Sequence, residues 1–419
     1  MMTNVVLVGV ELPRVNDFAE SMVELHGLAE AADLNVTHVL TQKRERVHAG
    51  TYLGKGKLAE LQGYLEGTES EAIIVNDELT PSQIKNLEAV LECEIMDRTM
   101  LILAIFAERA QTREAKLQVE VARLQYLMPR LAGMGISMSR QGGGSSGLAN
   151  RGAGETKLEL DRRTISDKIN QYQRELKVVA NERDNQRRSR QKKGLRVAAL
   201  VGYTNAGKSS IMNTLVSSYH PQTTEKQVLE KDMLFATLDT SVRRIHPKYH
   251  QPFLLTDTVG FVDKLPTQLV KAFRSTLEEV VQADVLIHVI DASSPDSEKR
   301  QRVTEETLKA IGAEDKPMIY VWNKADLVPE VSQIMPKNHL WVSTYTGKGI
   351  SELMSAVEAE LFADEEQHVW LVPYDRSDVV ALMNEEARII ELEYVEEGTQ
   401  ITAITPQHFI RNYGEFIVK

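Results

Sequence analysis

The 419-residue sequence predicts an α/β protein of several domains, and three observations predict it. Short apolar runs alternate with helical patterns through residues 1–112 and again through 194–364. Two stretches within 113–193 carry apolar residues at heptad spacing. A glycine-rich loop, Gly202-Tyr203-Thr204-Asn205-Ala206-Gly207-Lys208-Ser209, lies between an apolar run at 197–201 and a helical pattern at 210–216. Strands that alternate with helices build a parallel sheet with helices packed on its faces.

In the N-terminal region, 5–8, 36–40 and 72–75 read as strands, and 18–31, 57–65 and 81–91 as helices. This is a small parallel α/β domain over 1–112. Gly54-Lys55-Gly56-Lys57 is not a second phosphate loop, because no Ser or Thr follows Lys57 and the glycine spacing is wrong. It reads as a helix N-terminus in a basic surface loop.

Leu117, Val121, Leu124, Met128 and Leu131 recur at steps of four and three, as do Ile165, Ile169, Tyr172, Leu176 and Val179. Two such seams predict an antiparallel helical hairpin over 113–193. Eight glycines between 133 and 154 predict a tip loop at 132–154. Arms of roughly 20 residues give about 30 Å of reach. Residues 109–196 hold 20 Lys and Arg against 9 Asp and Glu, a net +11 in a chain of net −11. A basic module on an acidic body is a footprint for phosphates. A solvated pair of charged helices accounts for the same numbers.

The loop at 202–209 has the strand–loop–helix setting in which backbone N–H groups wrap a phosphate. Lys208 reaches the β- and γ-phosphates there, and the Ser209 hydroxyl is a ligand for Mg²⁺. Asp257-Thr258-Val259-Gly260 follows a strand at 253–256. Asp257 is placed to hold Mg²⁺, and the Gly260 N–H to sense a γ-phosphate. Upstream, Phe235-Ala236-Thr237-Leu238-Asp239 precedes a strand at 241–246, and Thr237 is the candidate second hydroxyl ligand of Mg²⁺. Asn323-Lys324-Ala325-Asp326 ends the apolar run 318–322. A carboxylate at that strand end accepts two hydrogen bonds from guanine N1–H and N2–H₂, a donor pair that adenine lacks, and a buried one left unpaired would be costly. Ser343-Thr344-Tyr345, after a strand at 340–342, offers main-chain groups to the guanine O6.

Five elements in this order resemble the translation-factor-like GTPases, and the full wording resembles the HflX family. Outside the nucleotide motifs, Tyr52-Leu53-Gly54-Lys55-Gly56-Lys57 and the stretch from Arg151 to Arg163 are similar to that family's N-terminal signatures. The resemblance covers roughly 1–365. It implies binding and hydrolysis of GTP to GDP, with Lys208 and Thr237 catalytic. It also implies the large ribosomal subunit as partner, with the hairpin tip near the peptidyl-transferase centre, and splitting or rescue of stalled ribosomes. A GTP-gated module in ribosome assembly or signalling would carry the same motifs. Arg140, Gln141, Asn150, Arg151, Arg162 and Arg163 are the candidate RNA contacts. The tip departs from the family at Ala153, where proline is common, and 145–150 is longer. A further-reaching tip would displace antibiotics bound at the ribosome.

Two residues bear on rate. Phe261 stands where many regulatory GTPases carry a glutamine that orients the attacking water. Intrinsic hydrolysis is therefore expected to be slow until a partner completes the site. Asn205 occupies the position at which an asparagine side chain can ligate K⁺.

The 365–419 stretch reads as a small α+β domain with strands at 369–373, 388–394 and 400–404 and a helix at 379–387. Glu391, Glu393, Glu396 and Glu397 make it acidic, a poor grip on RNA. Lone Cys93 excludes an internal disulfide. No apolar run reaches the ~20 residues of a membrane span and no signal peptide is evident, so a cytoplasmic protein, monomeric when free, is expected.

Overall fold

The alternation of apolar runs with helical patterns becomes two compact units in the computed structural model. It describes residues 3–13, 17–68, 70–141, 150–192, 195–219, 234–235, 240–247, 250, 252–264, 274–329 and 339–418. The side chains of 132–141, 150–159, 183–192 and 274–276 are excepted. One unit comprises 1–180, 231–239 and 263–274, and the other 181–230, 240–262 and 275–419.

The first unit holds a four-stranded sheet in the order β2-β1-β3-β4, formed by β1 (Thr3–Glu11), β2 (Leu34–Lys43), β3 (Ala72–Val75) and β4 (Glu94–Asp97). All its ladders are parallel. Val5 to Val10 of β1 are buried without interruption, as a strand covered on both faces requires. One face meets α2 (Lys55–Glu66) and α3 (Pro81–Leu91) through Leu58, Leu61, Ile84 and Leu87. Two further helices, α1 (Phe18–Ala31) and α4 (Arg98–Arg109), pack on each other. Thr80 starts α3 with a reciprocal capping box to Gln83. β4 and α4 were not legible in the sequence. Cys93 is half-buried, and burial with Glu88 and Glu94 beside it pushes its thiol up to about 11, which keeps it an unreactive thiol.

The hairpin consists of α5 (Arg113–Gln141) and α6 (Asn150–Lys192). Val121, Leu124 and Ile169 are buried together, flanked by Met128, Ile165, Tyr172 and Leu176. Arg113 and Glu175 pair at 2.9 Å near the base. The base is tied to the sheet by Asp97, whose fully buried carboxylate caps α4 at Met100 N, accepts from Leu79 N, and accepts from Tyr126 and Arg130 of α5. Helix extends well into the stretch expected to be a tip loop. Only 142–149 separate α5 from α6, and these lie outside the described residues. Each glycine costs a helix about 1 kcal/mol relative to alanine without forbidding it.

The second unit holds a six-stranded sheet, β10-β9-β8-β5-β7-β6. Its strands are β5 (Val197–Gly202), β6 (Ser241–Ile245), β7 (Phe253–Asp257), β8 (Val285–Asp291), β9 (Met318–Asn323) and β10 (His339–Trp341). Only the β6–β7 ladder is antiparallel. On one face α7 (Lys208–Tyr219) and α10 (Ile350–Leu361) pack through Ile211, Met212, Leu215, Leu353 and Val357. On the other, α8 (Arg274–Gln282) and α9 (Ser297–Ile311) contribute Leu277, Val280 and Leu308.

The C-terminal stretch is a three-stranded antiparallel sheet, β11-β13-β12, from β11 (Glu365–Val372), β12 (Arg388–Val395) and β13 (Gly398–Pro406). Trp370, Met383 of α11 (Ser377–Glu386) and Phe409 form its core. Phe409 belongs to α12 (Gln407–Tyr413), a helix the sequence pattern did not reveal. Among the described residues no helix is long and apolar enough to cross a membrane.

Candidate active site

The carboxyl ends of β5, β7, β8 and β9 deliver the motif residues to one end of the sheet, where open α/β sheets place their ligands. Gly202 closes β5 at φ 147, and a Cβ there would lie 2.2 Å from the Val289 carbonyl oxygen. Gly207 has φ 91, and Asn205 is left-handed at φ 60. The loop therefore uses backbone conformations that β-branched residues avoid. Ala206 is buried, Asn205 exposed.

Lys208 opens α7 and is buried. Its ammonium donates to the carbonyls of Gly202 (3.1 Å) and Tyr203 (2.8 Å), spanning its own loop. Burial lowers its pKa to about 8, partly opposed by the Asp257 carboxylate. Ser209 Oγ donates to Asp257 Oδ2 at 2.6 Å, and Asp257 is fully buried at the end of β7. Two hard oxygen donors from separate elements meet beside the phosphate loop, a set that fits Mg²⁺.

Two backbone hydrogen bonds fasten that loop to the segment after Asp257. Phe261 N donates to Gly202 O at 3.1 Å, and Thr204 N donates to Phe261 O at 2.8 Å. A Cβ on Gly260 would come within 2.7 Å of Thr204 Cα and 2.9 Å of Lys208 Nζ, so only glycine lets these segments approach. Phe261 itself is buried against Val201 and Leu277 and presents no polar group to a water. The side chains of this stretch largely face inward: Thr258 Oγ1 donates to Leu200 O, and Val259 and Thr204 are buried. The Tyr203 ring lies 5.1 Å from the Arg300 guanidinium, a cation–π contact with α9.

At the end of β9, Asn323 is buried and its side-chain amide donates to Ala206 O. Lys324 is left-handed at φ 61 and pairs with Asp291 at 2.8 Å. Asp291 was missed in the sequence, although β8 and β9 set it directly opposite Asn323. Ala325 N donates to Val342 O. Asp326 is exposed, not buried as the sequence argument assumed, because it follows the strand end rather than lying within it. Its Oδ1 accepts from Ser343 Oγ at 2.5 Å, so the loop after β10 orients the carboxylate directly. Ser343 N is spent on Lys348 O. Among the described residues, no acceptor is bonded to the N–H groups of Thr344 and Tyr345.

Phe235 is the one described residue of the 235–239 stretch. It lies in the first unit, buried and edge-on to Phe106 of α4 with 4.5 Å between centroids, so its ring is spent on packing. Ala236, Thr237, Leu238 and Asp239 lie outside the described residues. Arg162 and Arg163 are exposed on α6. The side chains of Arg140, Gln141, Asn150 and Arg151 lie outside the described set.

The family profile described as GTP-binding GTPase N-terminal matches residues 19–107, and GTP-binding GTPase Middle Region matches 109–190. The profile described as 50S ribosome-binding GTPase matches 197–324. A GTPase HflX of Caldanaerobacter subterraneus subsp. tengcongensis is 43% identical over 402 residues, covering 95% of this chain and 90% of its own. That of Alkalihalophilus pseudofirmus is 42% identical over 397 residues, with 94% and 91% covered. That of Escherichia coli K12 is 36% identical over 389 residues, with 91% and 88% covered. Identity of this order over nearly the whole length, through N-terminal, middle and nucleotide-binding regions alike, places the chain in the HflX family of GTPases.

Proposed function

We propose that the protein hydrolyses GTP on the large ribosomal subunit and uses the nucleotide cycle to split or rescue stalled ribosomes. The observation that carries the chemistry is the convergence of Lys208, Ser209 with Asp257, and Asn323 with Asp326 at one sheet end. Water attacks the γ-phosphate in line, and catalysis is positional and electrostatic. Lys208 turns from its own loop carbonyls to the β- and γ-oxygens. Ser209, Asp257 and Thr237 are the residues that would hold Mg²⁺. Bound there, Mg²⁺ would supply positive charge to offset the charge that develops on the phosphate oxygens. The Gly260 N–H meets the γ-phosphate, and the N–H groups of Thr344 and Tyr345 meet the guanine O6. Asp326, already oriented by Ser343, takes the guanine N1–H and N2–H₂.

Nothing in Phe261 orients the attacking water, which supports slow hydrolysis until a partner supplies a group or a geometry. Asn205, exposed on the loop, is the side chain that would ligate K⁺. The matched 50S ribosome-binding profile and the net +11 of residues 109–196 support ribosomal RNA as the partner, with the hairpin tip near the peptidyl-transferase centre. The test is sedimentation of purified 70S ribosomes with the protein and GTP or a non-hydrolysable analogue. Dissociation into subunits with either nucleotide, and not with GDP, is expected. Co-sedimentation with intact ribosomes and no dissociation would leave a GTP-gated binding module in its place.

A further inference from the structure

We infer that the ring of Tyr345 stacks on the purine base and is an affinity-determining residue of the guanine site. The inference rests on the reading of Asp326 as the base-recognition carboxylate and adds to it a second kind of contact, to the face of the base rather than its edge. Tyr345 is 89% exposed, two residues from Ser343, whose hydroxyl holds Asp326. An exposed tyrosine alone is ordinary. The scaffold beneath this one is not.

The loop is closed by its own backbone. Ser343 N donates to Lys348 O and Gly347 N to Ser343 O, both at 2.9 Å, and Thr346 N donates to Ser343 Oγ at 3.1 Å. Gly347 and Gly349 are left-handed, at φ 78 and 76, and a Cβ on Gly349 would lie 2.1 Å from the Trp341 carbonyl oxygen. The loop thus keeps its shape without using the Tyr345 side chain. That side chain stands on a fixed platform, on the same loop as two N–H groups with no acceptor among the described residues and two residues from the serine that orients Asp326. Leu327, immediately after Asp326, is 64% exposed, so the polar recognition groups are flanked in the chain by two apolar ones. Small-molecule sites combine a few fixed polar groups with apolar and aromatic surface. A purine whose edge is satisfied by Asp326 and the loop N–H groups still offers its π-face, and a tyrosine ring covers it at low entropic cost.

The test is titration of the full-length chain with GDP, inosine diphosphate and ADP, for wild type, Tyr345→Ala, Tyr345→Phe and Asp326→Ala. Stacking of a base on an aromatic side chain predicts that Tyr345→Ala raises the GDP Kd about tenfold. Stacking is blind to the exocyclic amine, so the factor should be the same for inosine diphosphate, and Tyr345→Phe should restore most of it. NMR of the ring-labelled tyrosines should show one ring shifted upfield by GDP, absent in Tyr345→Phe spectra labelled at tyrosine only. A GDP Kd within twofold of wild type in Tyr345→Ala overturns the inference, provided wild type prefers GDP to ADP and Asp326→Ala abolishes that preference. A Tyr345→Ala defect seen only in ribosome-stimulated hydrolysis also overturns it, and makes the ring a partner contact. A wild type that binds ADP as tightly as GDP overturns the base-recognition reading and this inference with it.

Discussion

The side-chain amide of Asn323 donates to the main-chain oxygen of Ala206 at 3.0 Å, joining two motifs 117 residues apart. Both groups are buried, so the bond is not exchanged for water. It ties the 202–209 loop, proposed to hold phosphates, to the 323–326 tetrapeptide, proposed to read the base. Gly207 makes the approach feasible, because a Cβ there would lie 2.1 Å from Asn323 Nδ2.

Substituting Gly207→Ala should therefore break the coupling twice, through its φ of 91 and through the clash. The strained backbone alone should cost about 1–3 kcal/mol of stability, and GDP affinity should fall at least about tenfold. Denaturant unfolding and GDP titration measure the two effects separately. Unchanged GDP affinity would mean the Asn323–Ala206 bond does not hold the site together.

Nucleotide affinity should depend on pH through Lys208. Burial depresses its pKa to about 8, whereas phosphate oxygens around the ammonium favour the charged form. Above about pH 8 the protein must take up a proton to bind. Affinity for GDP should then fall with rising pH, by up to about tenfold per unit. Titration calorimetry from pH 7.5 to 9 in buffers of different ionisation heat reads both the fall and the proton. A flat profile would contradict the buried, lowered ammonium.

His288 in β8 offers a stability test. It is buried, its Nδ1 has no hydrogen-bond partner among the described residues, and burial and then the Lys208 charge push its pKa down to about 3. Between pH 6.5 and 3 the unfolded chain binds a proton that the fold refuses. The contribution is intact above 6.5 and is lost as pH falls, at about 1 kcal/mol per pH unit. Replacing His288→Leu should make unfolding less sensitive to acid between pH 7 and 5.5, with little loss at pH 7 because no hydrogen bond is sacrificed. Equal acid sensitivity in the two proteins would show that other groups govern this range.

Base choice should follow Asp326. Asparagine presents an amide donor where the carboxylate accepts, so Asp326→Asn should lose at least about a hundredfold in GDP affinity and gain for xanthosine diphosphate, which offers O2 in place of the amine. Competition between the two nucleotides measures the exchange.

Much of the fold was legible because its strands are unbroken apolar runs. Those at 197–201 and 318–322 stand out from polar surroundings, and the heptad steps around Val121 and Ile169 mark helices that meet. β4 was not legible, since Glu94–Asp97 is four residues long and half charged, and pairs with β3 only through the tertiary sheet. The tip loop was expected over 132–154 from its glycines, whereas helix runs to Gln141 and resumes at Asn150, because glycine weakens a helix without forbidding it. In the site, Lys208, Ser209 and Asp257 were legible from motif spacing. Asp291 was not, because its partner Lys324 is its neighbour only across a ladder. The apolarity of Phe235, read as the frame of a motif, also serves packing on Phe106.

The most direct measurement is phosphate release from GTP by the full chain, with and without purified large ribosomal subunits, with ATP as control. With Phe261 buried and no water-orienting side chain in its place, slow release from GTP alone, none from ATP, and stimulation of about tenfold or more by the subunit are expected. Fast hydrolysis without ribosomes, or a rate that the large subunit leaves unchanged, would contradict a guanine site that a ribosomal partner completes.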